Sequence, residues 1–211
     1  MRIFSWVLEP GKFLSGNELA RLIDAAEKRR RKALRQRAKS GIREWFVMHL
    51  ALNTGLRVME IRELCISDLK ILEGGSSLLV RRGKNGRPRV VQFSKAFLSI
   101  AWEYLSWKKK IKEPFNGNSP LFYSARSMTG KMSTRALQKM FERCASLAGV
   151  TGHSINHLRH TYASYLYKAS DYNLRLVQKQ LGHSSIKTTE VYAHVLAPDV
   201  ERAVNKLYED I

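Results

Sequence analysis

The sequence predicts an α+β fold that is mostly α, with one small three-stranded antiparallel sheet. Two patterns carry this expectation. Apolar residues recur at helical spacing through most of the chain, whereas residues 67–93 break into short β-branched or apolar runs separated by glycine and proline turns. With 211 residues, 44% of them hydrophobic, the chain can bury one sizeable core or two small ones.

Residues 1–14 are expected to form an N-terminal arm, because Phe4, Trp6, Val7 and Leu8 show no clear period. Ser15 followed by Glu18 is a capping-box pattern, and Leu19, Leu22 and Ile23 then give a helical stripe through about Ala26. Residues 28–39, KRRRKALRQRAK, hold eight basic residues and as a helix would be positive on nearly every side. Two readings stand for that run: a solvated or mobile segment, or a phosphate-contacting one that adds salt-dependent affinity without sequence choice. From Trp45 to Leu52 the spacing predicts a buried helix. Asn53, Thr54 and Gly55 break it, and Val58, Ile61 and Leu64 resume a helical stripe. Arg57 therefore sits at a helix beginning, where backbone N–H groups and the dipole favour an anion, and Glu60 at i+3 could hold its guanidinium.

The three strands are expected at Asp68–Leu72, Ser77–Arg82 and Arg89–Phe93, with turns at Gly74-Gly75 and around Gly83 to Pro88. Lys84 then lies at the tip of the second hairpin. A helix over 95–110 turns Phe97, Ile100, Ala101, Tyr104 and Leu105 inward, and Trp102 and Trp107 read as packing residues rather than base-stacking platforms. Residues 112–120 form a loop, Leu121–Tyr123 a short buried strand. Ser133 or Thr134 caps a helix to about Ala148 with Leu137, Met140, Phe141 and Leu147 on one side. Ser154 can cap the next, in which Asn156, Arg159 and His160 fall at i, i+3 and i+4 on one face and Leu158, Tyr162, Tyr165 and Leu166 pack. Leu176 and Leu181 carry the apolar face of a helix that Gly182 ends, and Ser184 or Ser185 can cap a short helix bearing Thr188, Thr189 and Tyr192. After Pro198, a tail over 196–211 places Val200, Ala203, Val204 and Leu207 at helical spacing.

Charge narrows the function. Thirty-seven Lys and Arg against 18 Asp and Glu give a formal charge of +19, the footprint of a protein that meets a polyanion, nucleic acid before all others. No apolar run approaches a membrane span and no signal peptide opens the chain, so the expectation is a cytoplasmic, nucleoid-associated protein with no membrane partner. Cys65 and Cys144 each lie in an apolar-periodic segment and read as reduced core thiols rather than a disulfide or metal site.

Four stretches then bear on chemistry: TGLR with Glu60 (54–60), RRGKNGRPRVV (81–91), HSINHLRH (153–160) and LGHSSIKTTEVYAHV (181–195). In this order they resemble the motifs of the tyrosine recombinase (phage integrase) family, over roughly residues 53–195. The resemblance implies a catalytic domain spanning 15–195. It makes Tyr192 the nucleophile and Arg57 and Arg159 the guanidiniums that bind the scissile phosphate. Lys84 would protonate the departing 5′ oxygen, and His183 would hydrogen-bond the phosphate or assist proton transfer. Glu60 and His160 would support them. Arg81, Arg82, Arg87 and Arg89 would suit DNA-backbone contact. The family pattern has His three residues before the second Arg, and here that position is Asn156, which can donate and accept hydrogen bonds but takes no proton near neutral pH. His157 lies about 200° around the helix from Arg159 and is expected to face away.

The chemistry suits these residue types. The pentavalent transition state of a phosphodiester piles negative charge on the non-bridging oxygens, which two guanidinium forks bind better than the ground state. A phenol, with a reference pKa of about 10, needs nearby positive charge or an acceptor to act as nucleophile. The implied activity is site-specific recombination of double-stranded DNA through a 3′-phosphotyrosine, with no metal, ATP or other cofactor. Assembly would be a homo-tetramer on paired sites, with the tail helix docking on a neighbouring protomer. Two other classes remain open: a DNA-binding module with reduced or lost chemistry, and a topoisomerase IB-like strand passer. Family members commonly carry a helical DNA-binding domain upstream. This chain is expected to be either a catalytic fragment or a short member resembling the fimbrial-switch invertases, with weaker, salt-dependent DNA binding of its own.

Overall fold

The computed structural model describes residues 12–71, 74–81 and 87–195. The expected arm up to residue 11, Arg82, Lys84 and the tail over 196–211 lie outside them. Within the described residues the fold is mostly helical, as expected, and it is built around one buried helix. This is α2 (Lys39–Thr54), whose residues Trp45, Phe46, Val47, Met48 and Leu50 are all buried. A helix apolar on most sides needs neighbours on most sides. It packs against α1 (Gly16–Gln36), α4 (Lys95–Lys110), α5 (Thr134–Leu147) and α6 (Ile155–Ala169). Phe46 stacks on Tyr104 of α4, and Glu44, buried on the same helix, is held by Arg29 of α1 at 2.6 Å and Arg143 of α5 at 2.8 Å.

The Ser15–Glu18 capping box starts α1, and Ser94 and Ser133 cap α4 and α5 by accepting from Phe97 and Ala136 N–H. The basic run is a regular part of α1. Arg29 turns inward to Glu44, and Arg30 lies over the Trp45 ring with its centroid 4.7 Å away and binds Glu103. Cys65 and Cys144 are buried free thiols.

The sheet departs from expectation. β1 (Ser77–Val80) pairs antiparallel with β2 (Arg89–Gln92), Ser77 facing Gln92 and Val80 facing Arg89, and the expected first strand is a single bridge between Leu69 and Leu78. The cause is Asp68. Its carboxylate accepts the Cys65 N–H at 2.8 Å and binds Arg81 at 2.6 Å, winding Ile66–Asp68 into a 3-10 turn where the expected strand would begin. Leu121–Tyr123 is likewise no strand: Leu121 N–H donates to Leu64 and Phe122 accepts from Met132, isolated links on either side. Several expected inward residues also face solvent. Leu147, Tyr165, Leu176 and Trp102 are exposed, and the neighbouring Cys144, Tyr167 and Val177 fill the core positions instead.

Beyond the main core, α6, α7 (Leu174–Leu181) and α8 (Lys187–Val195) enclose a small second cluster of Ala163, Tyr167, Val177, Leu181 and Tyr192. Gly55 joins the two cores. It ends α2 in the left-handed conformation, φ 60°, and a Cβ there would stand 2.4 Å from Tyr162 Cδ1 and 2.9 Å from Leu181 Cδ2. Gly55→Ala is expected to lose about 2–4 kcal/mol of unfolding free energy, the sum of left-handed strain and overpacking. Urea denaturation of the two proteins would measure it, and a loss below half a kcal/mol would mean that the second cluster yields without strain.

Candidate active site

Three helix ends meet at one place, around Arg159 of α6. At the C-terminus of α2, the Gly55 carbonyl accepts a hydrogen bond from Arg159 Nη1 at 2.6 Å. The next helix, α3 (Val58–Glu63), begins with Arg57 in extended backbone at its N-cap. Arg57 N–H donates to Glu60 Oε2 at 2.8 Å, so the acid closes the helix start on itself. From the C-terminus of α7, the Leu181 carbonyl accepts from Arg159 Nη2 at 2.9 Å. Immediately beyond, His183 Nε2 lies 2.8 Å from the same Nη2.

That geometry fixes the histidine. A guanidinium only donates, so Nε2 must accept, and the ring proton sits on Nδ1, which donates to Thr189 Oγ1 at 2.9 Å. Burial, then the positive charge of Arg159 and Arg57, pulls the His183 pKa down to about 3, so it is neutral at physiological pH. Arg159 is only 5% exposed. Burial and the nearby Arg57 bring its pKa down to about 10, with Glu60 acting against them, and it keeps its charge at neutral pH.

Glu60 ties the cations together. Its carboxylate takes a two-pronged grip from Arg89, Nη1 to Oε1 at 2.7 Å and Nη2 to Oε2 at 3.0 Å, while Arg57 Nη1 stands 3.3 Å from Oε1 and Arg159 Nη1 3.9 Å from Oε2. Burial raises the Glu60 pKa, but the hydrogen bonds and charge of Arg89 and the Arg57 N–H outweigh it, and the acid stays ionised. The fork of Arg89 runs against Gly182, where a Cβ would meet its Cδ at 2.6 Å; this is a second reason, besides φ 68°, for glycine there.

Tyr192 comes from α8 into the second cluster and is only 1% exposed. Its hydroxyl lies 3.0 Å from His160 Nδ1. Burial pushes the phenol up to about 12, against the opposing pull of Arg159 and Arg57, so it is protonated at rest. Burial and the neighbouring His157 and Arg159 bring His160 down to about 4.

The remaining candidates fall as follows. Asn156 is exposed on α6. His157 faces the helix start, accepting the Ser154 N–H at 2.8 Å through Nδ1. Arg89, read from sequence as a DNA-backbone contact, is engaged with Glu60; Arg81, half-exposed, is engaged with Asp68, and Arg87 is exposed. Sequence reasoning missed Thr189 and the carbonyls of Gly55 and Leu181, for backbone acceptors leave no mark in a residue pattern.

Two histidines held neutral set an acid limit. An unfolded histidine titrates near 6.5, so between there and the folded values of about 3 and about 4 the unfolded chain binds more protons. The contribution of His183 and His160 is therefore present above pH ~6.5 and lost progressively as pH falls toward 4. Urea midpoints measured down a pH series should fall over that window. His160→Gln with His183→Gln should flatten the fall, and an unchanged slope in the double variant would refute the assignment.

The site can then be set beside known proteins. A model of the phage integrase family matches residues 12–198. The tyrosine recombinase XerC of Caldanaerobacter subterraneus is 31% identical over 166 residues, 78% of this chain and 44% of that protein. The tyrosine recombinase XerA of Pyrococcus horikoshii is 30% identical over 169 residues, 78% of this chain and 55% of that one. Among solved structures, XerH recombinase bound to its difH substrate in a pre-cleavage complex superposes with a TM-score of 0.71 at 25% identity, covering 93% of this chain and 54% of that one. A crystal structure of XerA recombinase gives 0.68 at 27% identity, covering 94% and 64%. The chain spans about half the length of the curated relatives it matches.

Proposed function

This chain belongs to the phage integrase family, and from that membership we propose that it is a site-specific DNA recombinase that cuts and rejoins double-stranded DNA through a 3′-phosphotyrosine. The observation that carries the reading is the meeting of Arg57, Arg159 and His183 at converging helix ends, with Tyr192 buried close enough to feel both guanidiniums. In this reading Arg57 and Arg159 bind the non-bridging oxygens, and His183 hydrogen-bonds the phosphate once its ring proton moves to Nε2 and that N–H faces the phosphate in place of Arg159. Tyr192 Oη bonds to phosphorus as the bond to the 5′ oxygen breaks, and Lys84 gives that oxygen its proton. The phenolic proton leaves first toward His160 Nδ1, the group already bonded to it. The covalent link conserves the phosphodiester energy, so a second 5′-hydroxyl can rejoin without ATP or a cofactor.

The catalytic unit in this reading is residues 15–195. Assembly is a tetramer on paired sites, with residues 196–211 docking between protomers. Sedimentation of the full chain and of 1–196 on paired sites tests that; unchanged assembly after truncation removes the tail from this role. Among the described residues no helix is long and apolar enough to cross a membrane.

One observation favours a second reading. Tyr192 is buried and protonated at rest, and Asn156 takes up no proton near neutral pH, as a DNA-binding module without chemistry would allow. Nicked suicide duplexes drawn from DNA flanking the gene separate the two. A denaturation-resistant adduct mapped to Tyr192 is the expected result, and no adduct on a site the protein demonstrably binds would leave the silent module standing.

A further inference from the structure

The basic run over 28–39 is not used by the site just described. Its helical form sorts the cations. Arg29 and Arg30 turn inward to Glu44, Glu103 and the face of Trp45. Lys28, Arg31, Lys32 and Arg35 remain exposed at i, i+3, i+4 and i+7, a single stripe within about one third of the helix circumference and about 10 Å long. Together with Gln36 they wall one shallow groove, and Lys28 and Lys32 continue into a second, between α1 and α5, with Arg21, Leu147 and Ala148. Asp24, paired with Lys28 at 2.6 Å, is the acidic residue lining these grooves. Like charges at these spacings repel, so the stripe weakens its own helix unless an anion neutralises it.

Its place in the fold separates it from Arg57 and Arg159. Gly41, near the start of α2, packs so closely on α1 that a Cβ would stand 2.4 Å from the Arg29 carbonyl. Gly55, at the other end of α2, accepts the Arg159 hydrogen bond. The fourteen residue steps from one to the other span about 21 Å. The stripe also opens on the α5 flank, whereas the site is bounded by α3, α6 and α7.

We infer that the stripe Lys28–Arg31–Lys32–Arg35 binds the phosphate backbone of a second segment of duplex DNA, distinct from the one at Arg57 and Arg159. The contact is to backbone only, since four long cations on an exposed helix carry no arrangement that reads base edges. It rests on the DNA-binding part of the proposed function and needs no chemistry at Tyr192.

The test uses the full chain, a short duplex of random sequence and the variant Lys28→Gln/Arg31→Gln/Lys32→Gln/Arg35→Gln. A control, Lys95→Gln/Lys109→Gln/Lys110→Gln/Lys112→Gln, removes the same charge from exposed positions in and just beyond α4. At low salt the wild-type chain and the control should bind two short duplexes by sedimentation, and the stripe variant one. The slope of log affinity against log salt should fall by about 3.6 in the stripe variant, at roughly 0.9 for each phosphate no longer neutralised, and by less than 1 in the control. Circular dichroism melts show whether each variant is folded. A single duplex on the wild-type chain, or equal slopes in the two variants, would overturn the inference. So would loss of binding to phosphatidylserine vesicles with duplex binding unchanged, which would assign the stripe to a membrane surface.

Discussion

Tyr192→Phe is expected to abolish the covalent DNA adduct, by about 10⁴-fold or more in rate, while leaving the protein folded and bound to DNA. The substitution removes one oxygen and nothing else. The ring stays in the second cluster with Ala163, Tyr167, Val177 and Leu181, so its packing is retained. Only the hydrogen bond to His160 Nδ1 is lost, worth about 0.5–1.5 kcal/mol net. Chemistry and stability therefore separate in one variant. Nicked duplexes read the adduct, urea denaturation reads the fold, and gel retardation reads binding. An adduct that persists in the Phe variant would remove Tyr192 as nucleophile, whatever the fold shows. Because Tyr192 is nearly inaccessible at rest, the proposed reaction would require α8 to shift when DNA arrives. The phenol's high pKa and its burial have the same origin, so a shift that brings it toward Arg57 and Arg159 also makes it easier to ionise.

What could be read in advance was mostly local. Glycines at 55 and 182, serines at 15 and 133 and the apolar periods mark helix ends whose physical causes lie within four residues, and the structure shows those ends. The sheet was less legible, since the β-like character of 68–72 competes with a tertiary bond from Arg81 to Asp68, thirteen residues apart. Glu60 shows the same limit within the site. Spacing pairs it with Arg57 one turn away, yet its closest ionic partner is Arg89, which only the β1–β2 pairing brings near. Leu147 and Leu176 sit at the margin of an apolar stripe, where period alone cannot say which of two neighbouring side chains faces the core. The run over 28–39 was ambiguous because a charged helix and a charged coil have the same composition. Glu44, Glu103 and Trp45 decide between them, and all three are distant in sequence.

Arg159→Lys is expected to lower the rate of adduct formation by about 10³-fold and also to destabilise the fold by about 1–3 kcal/mol. Both effects follow from shape. The guanidinium reaches the Gly55 carbonyl through Nη1 and the Leu181 carbonyl and His183 through Nη2, three acceptors on two segments. A single ammonium nitrogen keeps the charge but cannot span them, so at least one buried carbonyl loses its donor and His183 loses the partner that sets its tautomer. Arg57→Lys provides the contrast. Its side chain is one-third exposed, with its ion pair to Glu60 at 3.3 Å, and Glu60 retains Arg89 without it. That variant should slow the reaction with little change in the urea midpoint. If both lysine variants lost activity and stability in equal measure, Arg57 would be a structural residue and the phosphate would have one guanidinium rather than two. If neither lost activity, positive charge alone would suffice at the phosphate, and the two-pronged geometry around Arg159 would serve only to join α2, α6 and α7.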